Sequence, residues 1–235
     1  MAASVMNIKE VLARLEAIEE ALPHRDGVKW FNRLYLEMTQ EVDGVPDEHQ
    51  AAPPFLETLD VVFANRYFAA YDAAGDGALP SGYPFHAWKP LFEERYERGV
   101  APVQFALAGM NAHINHDLSI ALCETCAEMG RDLRDDSPEH ADYNSVNGMI
   151  ARVEKKMKVW MMTGLLKDWD HVFGPVDDVV AVWNVDAARA AAWTRAKVLW
   201  KLRELPPLQH EYEEMNDRSV GFAGRALLVP VGRVL

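Results

Sequence analysis

The side chains of this chain that best fit chemistry lie close together in the segment GMNAHINHDL, residues 109–118. His113 and Asp117 are four residues apart, so they share one face if the segment is helical, and His116 lies next to that face. A histidine and a carboxylate at this spacing form a general acid/base pair or bind a divalent metal ion. The segment therefore predicts a functional site, but the spacing of its residues does not identify a particular reaction.

We expect four residues of this segment to act together in an enzyme that converts a small molecule. His113 would be the general base or a metal ligand, and Asp117 would orient it or supply a second ligand. Asn111 and Asn115 would fix the helix or the substrate by hydrogen bonds.

A metal-dependent version of this site needs several ligands, and the cofactor that they suggest is a divalent metal ion. The predicted metal ligands are His113, His116, Asp117 and Glu124. The remaining ligands are expected on other elements, among His86, His140 and Asp142. Metal-assisted hydrolysis is favoured over oxygenase chemistry, because the ExxH pairs of the di-iron carboxylate proteins are missing from the sequence.

Three other interpretations of the same residues stay open at this point. The chain is a binding module without chemistry, in which an apolar cavity takes up an apolar metabolite. Alternatively, the Asn, His and Asp side chains form a buried hydrogen-bond network that fixes helix register. In the simplest case the helix is amphipathic, and its solvated face consists of His113, His116, Asp117, Glu124 and Glu128.

The element that must position these residues is one central helix over residues 101–130, bounded by Gly99 and Gly130. It contains no proline after Pro102, and its apolar residues recur at helical spacing. The expected core face of this helix is Val103, Leu107, Ile114, Leu118 and Ala121.

The rest of the chain repeats apolar residues at helical spacing, and no sheet-like alternation recurs. Helices are predicted over residues 7–22, with Asn7 as cap, over 55–74 and over an Ala-rich stretch from 179 to 204. Two further helices are predicted to begin near Gly27 and near Pro90, and another to run from Ser137 to about 162. Residues 163–178 are expected to be a loop, and a short helix at 209–217 precedes an extended end. The fold class that follows is all-α, a single domain over 1–235 with about seven or eight helices.

Composition and charge exclude several classes of function. The formal net charge of −12 disfavours nucleic acid, which needs clustered Lys and Arg. The amino-terminal segment carries charges throughout, and no apolar run reaches the length of a membrane span, so a cytoplasmic protein without a membrane partner is expected. The sequence has no GxGxxG, P-loop, GxSxG or HExxH motif. Cys123 and Cys126 lie within the predicted central helix and are expected to be buried reduced thiols.

Long segments of the chain resemble the domain-of-unknown-function family 5995. The similar segments include GVKWFNRLYLEMTQEV, PFLETLDVVFANRYFAAY and FALAGMNAHINHDL, in the same order over nearly the whole length. The resemblance implies a single helical domain with FALAGMNAHINHDL as its characteristic motif. The family is named for its unknown function, so the resemblance implies no particular reaction. It also favours Asn111, His113, Asn115 and Asp117 as the residues to test.

Overall fold

The protein is a bundle of α-helices. A computed structural model describes residues 4–43, 47–75, 77, 79–153, 155 and 184–230, and these residues include no β-strand. The helices are α1 Ile8–Ala21, α2 Gly27–Asp43, α3 Phe55–Ala74, α4 Lys89–Glu93, α5 Pro102–Ala112, α6 Leu118–Glu128, α7 Pro138–Ser145, α8 Val185–Leu202 and α9 Pro206–Leu227. A short 3₁₀ helix covers Asp47–His49, and residues 147–153 are also helical. The all-α prediction is confirmed.

The predicted helix starts follow from side chains that cap free backbone N–H groups. The Asn7 side chain accepts a hydrogen bond from the Glu10 N–H at 3.0 Å, and Ser137 accepts one from the His140 N–H at 3.2 Å. Each cap satisfies one of the donors that a helix leaves unpaired in its first turn. The predicted starts of α1 and α7 are therefore confirmed, but the helix predicted to run on from Ser137 is interrupted by a turn at Val146.

The central helix consists of α5, a π-helical turn at His113–Asp117, and α6. It packs against α2 and α9 through α5, and against α3 and α8 through α6. All five residues of the predicted core face are buried. However, α5 is buried on every side rather than along one stripe, as expected for a helix that is apolar nearly all round.

The π-helical turn is the one irregularity of the central helix, and the sequence arithmetic missed it. The Leu118 N–H bonds to the His113 carbonyl, five residues earlier. A π-helix has roughly 4.4 residues per turn, so each residue advances by about 80° rather than 100°. This places His116 farther from the face of His113 than an α-helix would. Such turns occur frequently at functional sites.

The carboxyl-terminal part differs from the prediction, because α9 continues to Leu227 instead of ending near Asp217. The glycines of the stretch GFAGR allow α9 to pack closely. A Cβ at Gly221 would overlap the His86 carbonyl, and one at Gly224 would crowd Pro90. The extended end predicted after residue 217 is therefore wrong up to Leu227.

Other predicted boundaries fall outside the described residues. These are the extension of the α7 region beyond residue 155, the loop at 163–178 and the helical start at 179–183. The described part of the Ala-rich helix begins at Val185, where the Asn184 side chain accepts from the Ala187 N–H at 2.9 Å. None of the described helices combines the length and the apolar character needed to cross a bilayer.

Candidate functional site

His113 and Asp117 form a buried pair in the π-helical turn. The His113 Nδ1 atom lies 3.2 Å from Asp117 Oδ2, and the Trp88 indole N–H donates to the same oxygen at 2.9 Å. All three residues are at most 3% exposed. The predicted sharing of one face by His113 and Asp117 is therefore confirmed, and Trp88 is a partner that spacing along the helix gave no means to find.

The protonation of His113 follows from its surroundings. Burial lowers the pKa of the imidazole, against the opposing hydrogen bond to Asp117, so the ring is neutral at physiological pH. An ionised carboxylate only accepts hydrogen bonds, so Nδ1 carries the ring proton and donates it to Asp117. Nε2 then holds a free lone pair. It is buried and has no hydrogen-bond partner among the described residues.

Aromatic rings surround the His113 imidazole. Phe63 stacks on it with ring centroids 3.4 Å apart and an interplanar angle of 6°. Tyr35 and Phe31 meet it edge-on, with centroids at 4.6 Å and 5.6 Å. These three rings fix the plane of the imidazole and keep the local dielectric constant low. A low dielectric constant strengthens any hydrogen bond that Nε2 makes.

His113 lines a cavity of about 70 Å³ between α2, α3, the central helix and α8. The cavity is partly open, and it has room for a few water molecules or a small organic group. Its wall is mainly apolar and includes Leu34, Met38, Leu59, Met110, Ile114 and Ile150. A mainly apolar cavity with a few polar groups is the usual form of a small-molecule site.

Asp60 is an unpredicted polar group of the same cavity wall. Desolvation by burial raises the pKa of its carboxyl to about 7, although Arg189 acts in the opposite direction. Asp60 makes no hydrogen bond or ion pair with the described part of the chain. Its sequence signal was a carboxylate within a helix that is apolar nearly all round.

Arg189 is the second unpredicted polar group of the cavity wall. Its Nε donates to Asn147 Oδ1 at 2.7 Å, its Nη2 donates to the Tyr143 carbonyl at 2.5 Å, and its guanidinium lies 4.1 Å from the Tyr143 ring centroid. The remaining Nη1 has no partner within the described ranges. Local spacing along the sequence could not identify Arg189, because the cavity wall combines residues of α3 and α8 that lie far apart in the chain.

The two asparagines predicted to be catalytic do not line the cavity. The Asn111 amide donates to the Val220 carbonyl at 2.9 Å, and the Asn115 amide donates to Asn111 Oδ1 at 3.1 Å. Asn216 of α9 donates to the Asn115 carbonyl at 3.0 Å. This network joins the central helix to α9, which matches the structural interpretation for these residues.

His116 lies on the side of the central helix that faces α9, and it does not line the cavity. Its Nε2 lies 3.7 Å from Asp217 Oδ1, and burial lowers the pKa of its imidazole. Asp217 accepts the backbone N–H groups of His86 and Ala87 at 3.0 Å and 2.7 Å. The π-helical turn explains the separation from His113, because it rotates His116 away from the face of the buried pair.

Glu124 lies at the surface, where it pairs with Arg66 at 2.5 Å and its side chain is 51% exposed. Glu124 lies seven residues beyond Asp117, about 10 Å along the helix axis. It is on the outward side of α6, whose residues Leu122, Thr125 and Cys126 are still buried. His140 bonds the Asp135 carbonyl, and Asp142 caps the N–H groups of residues 51 and 52.

The predicted metal ligands are therefore not gathered at one point of the structure. Within the described ranges, no three His, Cys, Asp or Glu side chains are placed to hold one metal ion. The solvated-face interpretation is wrong for His113, His116 and Asp117, which are buried, and right for Glu124 and Glu128.

The two cysteines are free thiols, as predicted. Cys126 is buried and Cys123 is partly buried. Burial raises the pKa of each thiol to about 12, so neither is a thiolate nucleophile at neutral pH.

Comparison with known proteins gives a family and no activity. The model of DUF5995, described as a family of unknown function, matches residues 8–230. No curated protein and no solved structure matches the chain.

Proposed function

Because the chain belongs to the DUF5995 family, which carries no assigned reaction, we propose its function from the site itself. The protein is an enzyme in which His113 acts as general base on a small, mainly apolar molecule held in the cavity. One observation carries this proposal: Nε2 of a buried histidine has no hydrogen-bond partner among the described residues, while its Nδ1 is bonded to a carboxylate. A buried polar atom without a partner is costly, so its persistence needs a reason.

The chemistry that the pair supports is the removal of a proton from a bound molecule. The neutral imidazole accepts the proton at Nε2, and the Asp117 carboxylate stabilises the imidazolium that forms. Trp88 holds the carboxylate in place through its indole N–H. The rings of Phe63, Tyr35 and Phe31 cover much of the imidazole, which keeps the base poorly hydrated and therefore more reactive.

A second candidate function is the binding of an apolar metabolite without turnover. The mainly apolar wall of the cavity favours this candidate, since burial of apolar surface alone supplies affinity. Metal-assisted hydrolysis and a cytoplasmic location stay predictions from the sequence. The geometry lends no support to the first, because His113 and Asp117 lack a third ligand among the described residues.

A probe reaction tests the general base without knowledge of the natural substrate. In 5-nitrobenzisoxazole, loss of one C–H proton breaks the N–O bond and gives a coloured cyanophenolate, with no nucleophile, metal or cofactor required. We expect the protein to accelerate this elimination above the rate of free imidazole. Replacement of His113 by Gln should remove most of the acceleration, on the order of a hundredfold for a positioned base.

Two controls make this test decisive. Glu124→Gln changes a surface carboxylate on the same helix and should leave the rate unchanged. Thermal melting of His113→Gln separates loss of the base from loss of the fold. If phenol binds the cavity, seen as chemical-shift changes at the wall, but the probe is not converted, the protein is a binder and the enzymatic proposal fails.

A further inference from the structure

A guanidinium and a carboxyl group line one cavity without forming an ion pair. Arg189 on α8 and Asp60 on α3 both belong to the cavity wall, and the described residues include no ion pair between them. Arg189 is 7% exposed, and burial of a guanidinium without a carboxylate partner among the described residues is expensive. This arrangement leaves a gap that a polar group of a ligand can fill.

We propose that the natural ligand is a small apolar carboxylate, with its carboxylate group between Arg189 and Asp60 and its apolar body against the wall near His113. This inference rests on the proposed function, since it names the class of molecule on which His113 acts. It assigns no new chemistry to Arg189 or Asp60, which bind and orient the ligand.

Arg189 has the properties of a carboxylate-binding residue. A guanidinium offers a planar set of donors that matches the two oxygens of a carboxylate. The side chain of Arg189 is already held by Asn147, by the Tyr143 carbonyl and by stacking on the Tyr143 ring. Little side-chain entropy is lost on binding, and Nη1, which has no partner in the described part of the chain, is left for the ligand.

Asp60 complements Arg189 because its carboxyl stays protonated to an unusually high pH. Below about pH 7 the carboxyl of Asp60 carries a proton that it can donate to a ligand carboxylate. Above that pH the ionised Asp60 repels a ligand carboxylate. The titratable and charged groups that face it are Arg189 on α8, Asp43 and Tyr35 on α2, Glu57 on α3 and His113 in the π-helical turn.

The spacing along α3 places the carboxylate subsite near the base. Asp60 precedes Phe63 by three residues, which is less than one helical turn, and Phe63 stacks on His113. A carboxylate at Asp60 therefore lies on the same side of the cavity as the imidazole. The proton that His113 removes would lie close to the carboxylate group rather than at the far end of the molecule.

Benzoate and its neutral counterpart benzyl alcohol are suitable probes, because they share one ring and differ in charge. We expect calorimetry at about pH 6 to show benzoate binding at least tenfold more tightly, the equivalent of about 1.4 kcal/mol. Between about pH 6 and pH 8.5 the affinity for benzoate should fall about tenfold as Asp60 ionises. The affinity for benzyl alcohol should change little.

Three variants assign the effect to its groups. Arg189→Gln should lose the preference for benzoate and keep the affinity for benzyl alcohol, which also shows that the cavity is intact. Asp60→Asn copies the protonated acid, so benzoate should bind it equally well at both pH values. His113→Gln should still bind benzoate, because the base is not part of the carboxylate subsite.

The inference is overturned if wild-type protein binds benzoate no more tightly than benzyl alcohol, or if Asp60→Asn keeps the pH dependence. This failure is distinct from failure of the proposed function. If His113→Gln loses the probe elimination, the assignment of His113 as general base stands even when the protein shows no preference for carboxylates. Conversely, carboxylate binding without any elimination would leave this inference standing and identify a binding protein.

Discussion

A single hydrogen bond decides which nitrogen of His113 carries its proton. Asp117 accepts from Nδ1, and Trp88 holds the same carboxylate oxygen from the other side. The spacing of four residues was enough to predict the pair. The role of Trp88 was not predictable, because it depends on how the loop before α4 lies against the π-helical turn.

Asp117→Asn should keep the tautomer of His113 and weaken the imidazole as a base. Because the Trp88 N–H donates to the same oxygen as Nδ1, the amide oxygen takes this position and the lone pair stays on Nε2. The imidazolium then loses the negative charge that stabilises it, and we expect the probe elimination to fall by about a hundredfold. Nitrogen-15 chemical shifts of the imidazole report the tautomer directly, and a ring proton on Nε2 would contradict the assignment.

At the scale of elements, the close approach of α2 to α5 places Phe31 and Tyr35 around His113. Gly109 permits this approach, since a Cβ at that position would overlap the Phe31 ring. Helix ends such as those at Asn7 and Ser137 could be predicted from capping residues alone. The π-helical turn could not, because HINHD contains no residue type that enforces it, and its geometry depends on the helices packed around it.

Gly109→Ala should destabilise the protein by about 1–3 kcal/mol, the usual cost of inserting a methyl group into a packed contact. Gly148→Ala is the matched control, because that glycine is helical, exposed and free of neighbours within 4 Å. The control should be neutral or slightly stabilising, since alanine favours helix. Chemical denaturation measures both changes, and equal effects at the two sites would argue against a tight contact between α2 and α5.

At the scale of the whole molecule, buried titratable groups give stability two opposite dependences on pH. The pKa of His113 and His116 is lowered, so their contribution is present above the ordinary histidine pKa and is lost as the pH falls below it. The pKa of Asp60 is raised to about 7, so its contribution is present below the ordinary carboxyl pKa and is lost as the pH rises to 7.

Asp60→Asn should therefore raise the melting temperature at about pH 8 and leave it nearly unchanged at about pH 4. At the higher pH the wild-type protein must bury an ionised carboxylate, and the amide removes that cost. Differential scanning calorimetry of both proteins across this range gives the comparison. A variant that is less stable than wild type at pH 8 would show that Asp60 has a favourable partner in its ionised form.

The network between the central helix and α9 also has a consequence for the order of folding during synthesis. The Asn111 amide bonds the Val220 carbonyl, which lies 109 residues later in the chain. Until α9 leaves the ribosome, this amide and the backbone N–H groups of His86 and Ala87 lack the partners that α9 supplies. The nascent chain can form its amino-terminal helices early, but it cannot complete the network between the central helix and α9 until α9 has been translated.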